Sequence, residues 1–507
     1  MHAEQMEFLE PPPTKFVPTD EQAAAAKVDM SPGNLILIEA RAGTGKTAAL
    51  QHISKSHPGK KFLYTCFNKA AAESAKQRMG RNVSVSTTHS LAFARTGRDY
   101  RHKLGEMNLK AICDCLRCPP NQGWEVQQIV QRYVQSMHAE IGDMKVRDDI
   151  HPQSVDRAKT LWERMCDRQD NLVPMSHDGY LKLWAKQKPT LGGYDVVLVD
   201  EAQDLNPAML GIVLEQLKTR ASSIILVGDS CQGIYGWRGA INAMEECLSK
   251  ATDRLALTES FRFGPKIAAR ASRVLSLLPN TDTRLVGRGG DDTGESVAFL
   301  SRTNGVLIGH AAETGGPIHF AGTTEHNGYN PMVRYKLWEA LDVWNLWLGN
   351  SYKVRPGRMK KFQSFEELST YAYHRDPNTG KSKVLDPEIA SLIQLVEKYG
   401  DGLGDVILDL QARATRPNRG VPTFSSGHAA KGLEWSRVEL ADDFIPVFDQ
   451  AELKTWAKYL DKSEILEEIR LLYVAITRAK RETKVGPDLE KWFSSSKEGD
   501  IQFGDAQ

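Results

Sequence analysis

Short, mainly apolar runs, each closed by a polar or glycine-rich turn, recur along the chain. Residues 35–38, 61–65, 83–86, 196–199 and 224–227 form one series, and 297–300 and 317–320 begin a second. Runs such as 35–38 and 196–199 contain no polar residue, which predicts strands of a parallel sheet buried on both faces. Segments of helical spacing separate the strands, so the chain is expected to be α/β. Thr19 is placed to cap a short helix that contains Gln22. Residues 96–185 are rich in charge, lack strand patterning and predict a mainly helical insertion, with Trp124, Tyr133, Trp162 and Trp184 in its core. From about 330 to 415 the chain turns helical and aromatic again, and Leu337, Leu341, Trp344 and Leu348 predict a packing face. Residues 1–15, with three consecutive prolines, are expected to form a loose arm, and the tail from 488 a loosely ordered end.

Bulk composition narrows the class only modestly. The chain has 507 residues, 41% hydrophobic and 25% charged, as in an ordinary globular protein with room for several domain-sized units. A net charge of +1 supplies no global field towards nucleic acid, so any such site must come from local patterning. No apolar run is long enough to span a bilayer, and the N-terminal residues lack the pattern of a secretory signal. Seven scattered cysteines point to a reducing compartment, that is, the cytoplasm, with nucleoid or nuclear association according to the cell. Cys113, Cys115 and Cys118 stand close together, but no fourth ligand follows at a familiar spacing, so thiols without a metal are expected there.

The strongest chemical signal lies at 34–50, NLILIEARAGTGKTAAL, where a strand, a glycine-bearing turn and a helix-forming run enclose the pattern A-x-x-x-x-G-K-T. Gly43 and Gly45 allow a curl that points backbone N–H groups at phosphate oxygens, and Ala42 and Thr44 complete the cradle. Lys46 is expected to reach the terminal phosphates and Thr47 to ligate Mg²⁺. A second signal follows at 194–204, YDVVLVDEAQD, where a buried strand delivers Asp200 and Glu201 at its tip. Asp200 suits Mg²⁺ and Glu201 suits polarisation of an attacking water.

Other strand ends carry groups suited to a ligand. Phe67, Asn68 and Lys69 offer a ring, an amide and a charge, and Thr88, His89 and Ser90 offer donors to a phosphate backbone. After 224–227 come Gln232, facing the γ-phosphate region, and Tyr235, Trp237 and Arg238, a platform for stacking bases. Phe261 can cover an adenine face and Arg262 can reach the γ-phosphate. Lys353, Arg355, Arg358, Lys360 and Lys361 form a basic run suited to phosphate contact. Arg478, expected on a helix with Leu472, Ala475 and Ile476, is placed to act as an arginine finger.

Taken in order, these segments resemble superfamily 1 helicases of the UvrD/Rep/PcrA type. The motifs stand as ARAGTGKT (40–47), FNKAA (67–71), TTHS (87–90), VDEAQD (199–204), GDSCQGIYGWRGA (228–240), SFRFG (260–264), GHAAKGLEW (427–435) and LYVAITRAK (472–480). Their wording looks most like the F-box DNA helicase subgroup. No F-box is recognised before the motor, so a ubiquitin-ligase role is not expected to carry over. The resemblance implies two RecA-like P-loop NTPase domains with mainly helical inserted subdomains: 1A at 1–95 and 186–270, 1B at 96–185, 2A at 271–329 and 416–507, and a short 2B at 330–415. It implies that Gln22 reads adenine, Phe261 stacks on it, Glu434 meets the ribose, and Gln232, Arg262 and Arg478 meet the γ-phosphate. Phe67, Asn68, Lys69, Thr88, His89, Tyr235, Trp237, Arg238 and His428 would line a single-strand path. UvrD has Tyr where Phe261 stands, which preserves stacking, and Arg at Ala48, which removes one phosphate contact. The second insertion is also far shorter than in UvrD.

The expected function is therefore an ATP- and Mg²⁺-dependent 3′→5′ DNA helicase or translocase acting on single strands and single-strand/duplex junctions, in repair, recombination or replication. Two other readings share the motor: a translocase that strips proteins from single strands, and the motor subunit of a nuclease or antiviral assembly with a separate partner protein. A membrane partner is not expected.

Overall fold

The computed structural model describes residues 17–66, 69–146, 150–219, 222–236, 239–322, 335, 337–355, 357–375, 382–384, 386–444 and 462–495. The expected arm at 1–15 and four expected strand contacts, Phe67, Asn68, Trp237 and Arg238, lie outside the described residues.

Two parallel sheets organise the chain. The first holds six strands: β1 (Leu35–Ala40), β2 (Phe62–Cys66), β3 (Val83–Thr87), β4 (Val196–Val199), β5 (Ser223–Gly228) and β6 (Asp253–Leu257), in the order β3-β2-β4-β5-β1-β6. Side-chain alternation divides its central strands between two cores. Leu35, Leu37, Val197, Val199, Ile224 and Leu226 face the helices that connect β3 to β4 and β4 to β5. Ile36, Ile38, Val196, Leu198, Ile225 and Val227 face helix Lys46–Ser56 through Ala49, Leu50 and Ile53. Burial on both faces accounts for the absence of polar residues in these runs.

Between β3 and β4 the helices Pro120–Gln135, Pro152–Cys166 and His177–Lys186 pack around Tyr133, Trp162 and Trp184, with the Tyr133 and Trp162 rings edge to face at 5.2 Å. Trp124 does not join them. The buried stripe of its helix runs through Gly123, Val126, Ile129, Val130 and Tyr133, which leaves Trp124 to the side and 47% exposed. The three cysteines do not converge either. Cys115 accepts Nη1 of Arg164 at 2.8 Å, whereas Cys113 interacts with Cys118. Among the described residues no group of three or more His, Cys, Asp or Glu side chains is arranged to hold a metal.

After β6 a short parallel pair, β7 (Glu259–Ser260) with β8 (Val286–Gly287), leads to the second sheet. That sheet holds β9 (Val297–Ser301), β10 (His319–Phe320), β13 (Thr423–Ser426), β14 (Trp435–Leu440) and β15 (Ala479–Lys484), in the order β10-β13-β9-β14-β15. The small antiparallel pair β11 (Tyr373–Arg375) and β12 (Ser382–Val384) interrupts a stretch expected to be helical. Helix Pro265–Leu275, which the expected boundary at 270 would divide, packs whole against the second unit through Ile267, Ala271 and Val274. Its Arg270 donates to the Thr483 carbonyl (2.6 Å) and to Glu490 (2.6 and 2.7 Å). Glu490 belongs to helix Pro487–Ser494, so the chain from 488 to 494 is an ordered helix and not the loose tail expected.

Helix Leu337–Trp347 corrects another expectation. Its buried stripe is Leu337, Ala340, Val343 and Leu346; Leu341 and Trp344 flank it, and Leu348 lies past the helix end and is exposed. Three-residue steps and alternating four- and three-residue steps share their first member and then diverge, and burial selects the former. Leu346→Ala should therefore lower stability by about 2–5 kcal/mol and Leu348→Ala by less than about 0.5 kcal/mol, read from denaturant midpoints. The basic run that follows is partly committed within the protein: Arg355 pairs with Asp342 (3.1 Å), Arg358 with Glu339 (2.7 Å), and Lys361 lies over the Tyr371 ring (4.0 Å). Among the described residues no helix is long and apolar enough to cross a membrane.

Candidate nucleotide site and strand path

The site forms where the carboxyl ends of β1, β4, β5 and β6 meet the second unit. After Ala40 the chain turns back through two left-handed glycines, Gly43 (φ 75°) and Gly45 (φ 78°), and enters helix Lys46–Ser56. A side chain at Gly43 would also collide with Ser260 Oγ (2.5 Å) and Arg262 Cβ (2.6 Å), because the loop after β6 lies directly against it. The Gly43 carbonyl accepts the N–H of Phe261 (2.9 Å). The result is a curled loop at a helix N-terminus, a natural anion cradle. Ala42 and Thr44 are buried in it, and Thr44 Oγ1 donates to the Arg41 carbonyl at 2.8 Å.

β4, one strand removed from β1, delivers the two carboxylates. Asp200 is buried and accepts Thr47 Oγ1 (3.0 Å), the Tyr64 hydroxyl (2.7 Å) and the Glu201 N–H (2.9 Å). Burial and the neighbouring Glu201 charge raise its pKa above the ordinary range. Glu201 sits in the left-handed region (φ 54°, ψ 46°), an uncommon conformation for a residue with a side chain. Its carboxylate lies 3.2 Å from Lys46 Nζ and accepts Gln203 Nε2 at 2.6 Å. Burial pushes its pKa up, but Lys46 and Lys431 outweigh that and hold it at about 2, so it is an anionic acceptor at neutral pH. Burial opposes the charge of Lys46 as well, and Glu201 more than offsets it, so that lysine stays cationic.

The second unit closes the site from the other side. Arg478 lies just beyond helix Lys462–Ile476, in the turn into β15, and not on the helix as expected. It is 2% exposed. Nε donates to the Val474 carbonyl (2.9 Å) and Nη2 to Gln232 Oε1 (3.2 Å). Burial, reinforced by neighbouring Arg262, pulls its pKa down to about 9. Among the described residues no carboxylate forms an ion pair with it. Arg262 donates Nε to Glu434 (2.8 Å) and Nη1 to the Thr477 carbonyl (3.0 Å). Glu434 is thus held by Arg262, with Lys480 at 3.7 Å.

Gln22 and Phe261 flank the loop. Thr19 caps helix Asp20–Ala25, and the Gln22 amide donates to the Thr44 carbonyl at 3.1 Å. Phe261 is 51% exposed, free to cover a planar ligand. The other expected strand contacts are disposed unevenly. Lys69 is exposed at the start of helix Lys69–Arg78. Thr88 is buried with its hydroxyl on Thr65 (3.2 Å), which corrects its expected role as a free donor. His89 Nε2 lies 2.9 Å from Asp178, which also accepts the Gln135 amide at 3.0 Å. Tyr235 is half-buried against the second unit, its hydroxyl donating to the His428 carbonyl (3.4 Å) and its ring under Lys431 Nζ (4.8 Å), so it is not the open platform expected.

Several residues were missed in the sequence. Lys431 bridges Asp204 (2.6 Å) and the Gln232 carbonyl (2.6 Å) across the two units. Arg41 reaches Glu39 (2.8 Å) and Asp229 (3.2 Å), and Tyr473 reaches Ala42 and Asp229. Lys431, Arg41 and Tyr473 all lie inside the quoted motifs, and that membership was the available signal.

A glycine-turned loop at the head of a parallel strand, a carboxylate pair on a second strand and an arginine from another parallel sheet define a P-loop NTPase with two RecA-like units. Two family models match it: AAA domain over residues 22–238 and UvrD-like helicase C-terminal domain over residues 407–484. F-box DNA helicase 1 of Gallus gallus is 31% identical over 93% of this chain and 49% of its own length. F-box DNA helicase protein 1 of Schizosaccharomyces pombe is 28% identical over 94% and 58%, and DNA helicase II of Escherichia coli 24% identical over 50% and 40%. The chain belongs to the UvrD-like helicases of superfamily 1. It spans roughly half the length of the F-box relatives it matches.

Proposed function

We propose that the protein hydrolyses ATP to move along single-stranded DNA in the 3′→5′ direction and unwinds duplex DNA ahead of it. The observation that carries this reading is Arg478: a buried cation beside a second arginine, without a carboxylate partner among the described residues, and hydrogen-bonded to Gln232 of the first unit. Such a group is costly to bury unless an anion completes it. The terminal phosphate of a nucleotide held by Gly43–Thr47 is that anion.

The donor set fits Mg²⁺. The Thr47 hydroxyl and the Asp200 carboxylate are hard oxygen ligands within 3.0 Å of each other. They would hold the ion, which neutralises phosphate charge when bound. Lys46 orients the phosphates, Gln22 and Phe261 receive the base, Glu434 meets the ribose and Glu201 takes up the proton of the attacking water. Gln232, Arg262 and Arg478 exchange their present partners for the γ-phosphate, which draws the two units together; loss of phosphate releases them. The strand would run past Lys69, His89, Tyr235 and His428. Residues 96–185 and 330–415 form the 1B and 2B subdomains. The names of the relatives support DNA as the track.

The test is steady-state ATP hydrolysis with and without single-stranded DNA, followed by unwinding of duplexes bearing a 3′ or a 5′ tail. Stimulation by DNA that Lys46→Ala abolishes, with unwinding from the 3′ tail, is expected. Hydrolysis indifferent to DNA would overturn the motor assignment, and unwinding from the 5′ tail the polarity.

A further inference from the structure

A chain of hydrogen bonds runs from the phosphate loop to the arginine of the second unit, and Tyr473 stands at its centre. Tyr473 lies on helix Lys462–Ile476 and is fully buried. Its hydroxyl accepts the N–H of Ala42 (3.1 Å) and donates to Oδ2 of Asp229 (3.0 Å). The same Asp229 oxygen accepts the Gln232 amide (2.7 Å), and Gln232 offers its carbonyl oxygen to Arg478 (3.2 Å). The other Asp229 oxygen accepts Arg41 Nη1 (3.2 Å) and the Cys231 N–H (3.2 Å). Asp229 is itself fully buried, so each of these donors matters to holding its charge. Burial and the adjacent Asp229 push the tyrosine phenol well above its ordinary range, so it remains a neutral donor at working pH.

Ala42 precedes the glycine turn. Its N–H is occupied by a group from the other unit, and the Thr44 N–H donates to the Arg41 carbonyl (3.3 Å), so the amides of Gly43, Gly45, Lys46 and Thr47 are the ones offered to phosphate. We propose that Tyr473 is a positioning residue for ATP hydrolysis: through Asp229 it sets Gln232 and Arg478 in register with the phosphate loop, and so links the loop to the second unit. The inference rests on the reading of the site as an ATPase. Its consequence is a division of labour. Most of the groups proposed to bind nucleotide, Gln22, Lys46 and Thr47 among them, belong to the first unit and make no hydrogen bond to the hydroxyl. The groups that meet the developing charge at the γ-phosphate depend on it.

Tyr473→Phe removes one oxygen and keeps the ring. It should lower kcat about 10- to 100-fold, as loss of a supporting hydrogen bond commonly does, while KM for ATP and binding of a fluorescent ATP analogue change less than about 3-fold. Asp229→Asn should show the same split, and the double variant should lose little more than either single one, because both break one path. Normal analogue binding certifies that each variant is folded. A wild-type kcat for Tyr473→Phe, equal losses in analogue binding and turnover, or additive losses in the double variant would overturn the proposal. Failure of the ATPase reading would look different: the unaltered chain itself would show no hydrolysis sensitive to Lys46→Ala.

Discussion

Arg478→Ala is expected to bind ATP and turn it over about 10³-fold more slowly, or worse, in the presence of single-stranded DNA. The guanidinium lies beside Gln232 and Arg262 and pairs with no carboxylate among the described residues, so its removal is expected chiefly to subtract charge stabilisation at the phosphate. Arg478→Lys should rescue poorly, since a point charge on a flexible stem does not reproduce the planar fork that spans Gln232 and Val474. A second readout separates this from a structural defect. Burial and Arg262 disfavour the cation until an anion joins it, so without nucleotide the alanine variant should melt no lower than the unaltered chain. ATP should raise the melting temperature of the unaltered chain by more than that of the variant. A variant that hydrolyses ATP normally would remove Arg478 from the site, and one that melts much earlier would make it a structural residue.

Glu201→Gln should retain nucleotide binding and lose about 10²- to 10⁴-fold in turnover. The amide keeps the shape that fits beside Lys46 and Gln203 and abolishes the proton acceptor. Because the folded carboxylate has its pKa held at about 2, its activity as a base should not titrate between pH 5 and 8. A fall in kcat within that window must then come from another group. Near-normal turnover in the glutamine variant, measured beside the Lys46→Ala control, would reassign the base.

Much of this arrangement was legible because strands of a parallel sheet advertise themselves. The runs at 35–38, 196–199 and 224–227 are apolar on both faces, and the polar residues that follow each run fall at the sheet's carboxyl edge. The position of Lys46, Thr47, Asp200 and Glu201 relative to one another follows from that rule and from the loop motif. Legibility fell where tertiary contacts decide. The stripe of helix Leu337–Trp347 could be drawn two ways, and only its neighbours choose. The helix at Pro487–Ser494 is tied down by Arg270, more than two hundred residues away. Thr88 and Tyr235 carry the residue types of a contact surface, yet partners distant in sequence turn one inward and half-cover the other. Tyr473 reads as one more apolar-face residue of a helix until its hydroxyl is seen between Ala42 and Asp229.

The placement of helix Pro265–Leu275 on the second unit has a mechanical corollary. The first sheet is complete at Leu257 and the second body begins at Pro265, so the backbone passes from one to the other through residues 258–264. That passage is laced to β8 by the ladder of Glu259 and Ser260, and Gly289 lies so close that a side chain there would strike the Phe261 carbonyl. Phe261 and Arg262, the residues proposed to meet base and phosphate, are therefore themselves links of the pivot. Torsion of the pivot and grip on the nucleotide share the same few dihedral angles, and a substitution that stiffens one should be felt in the other.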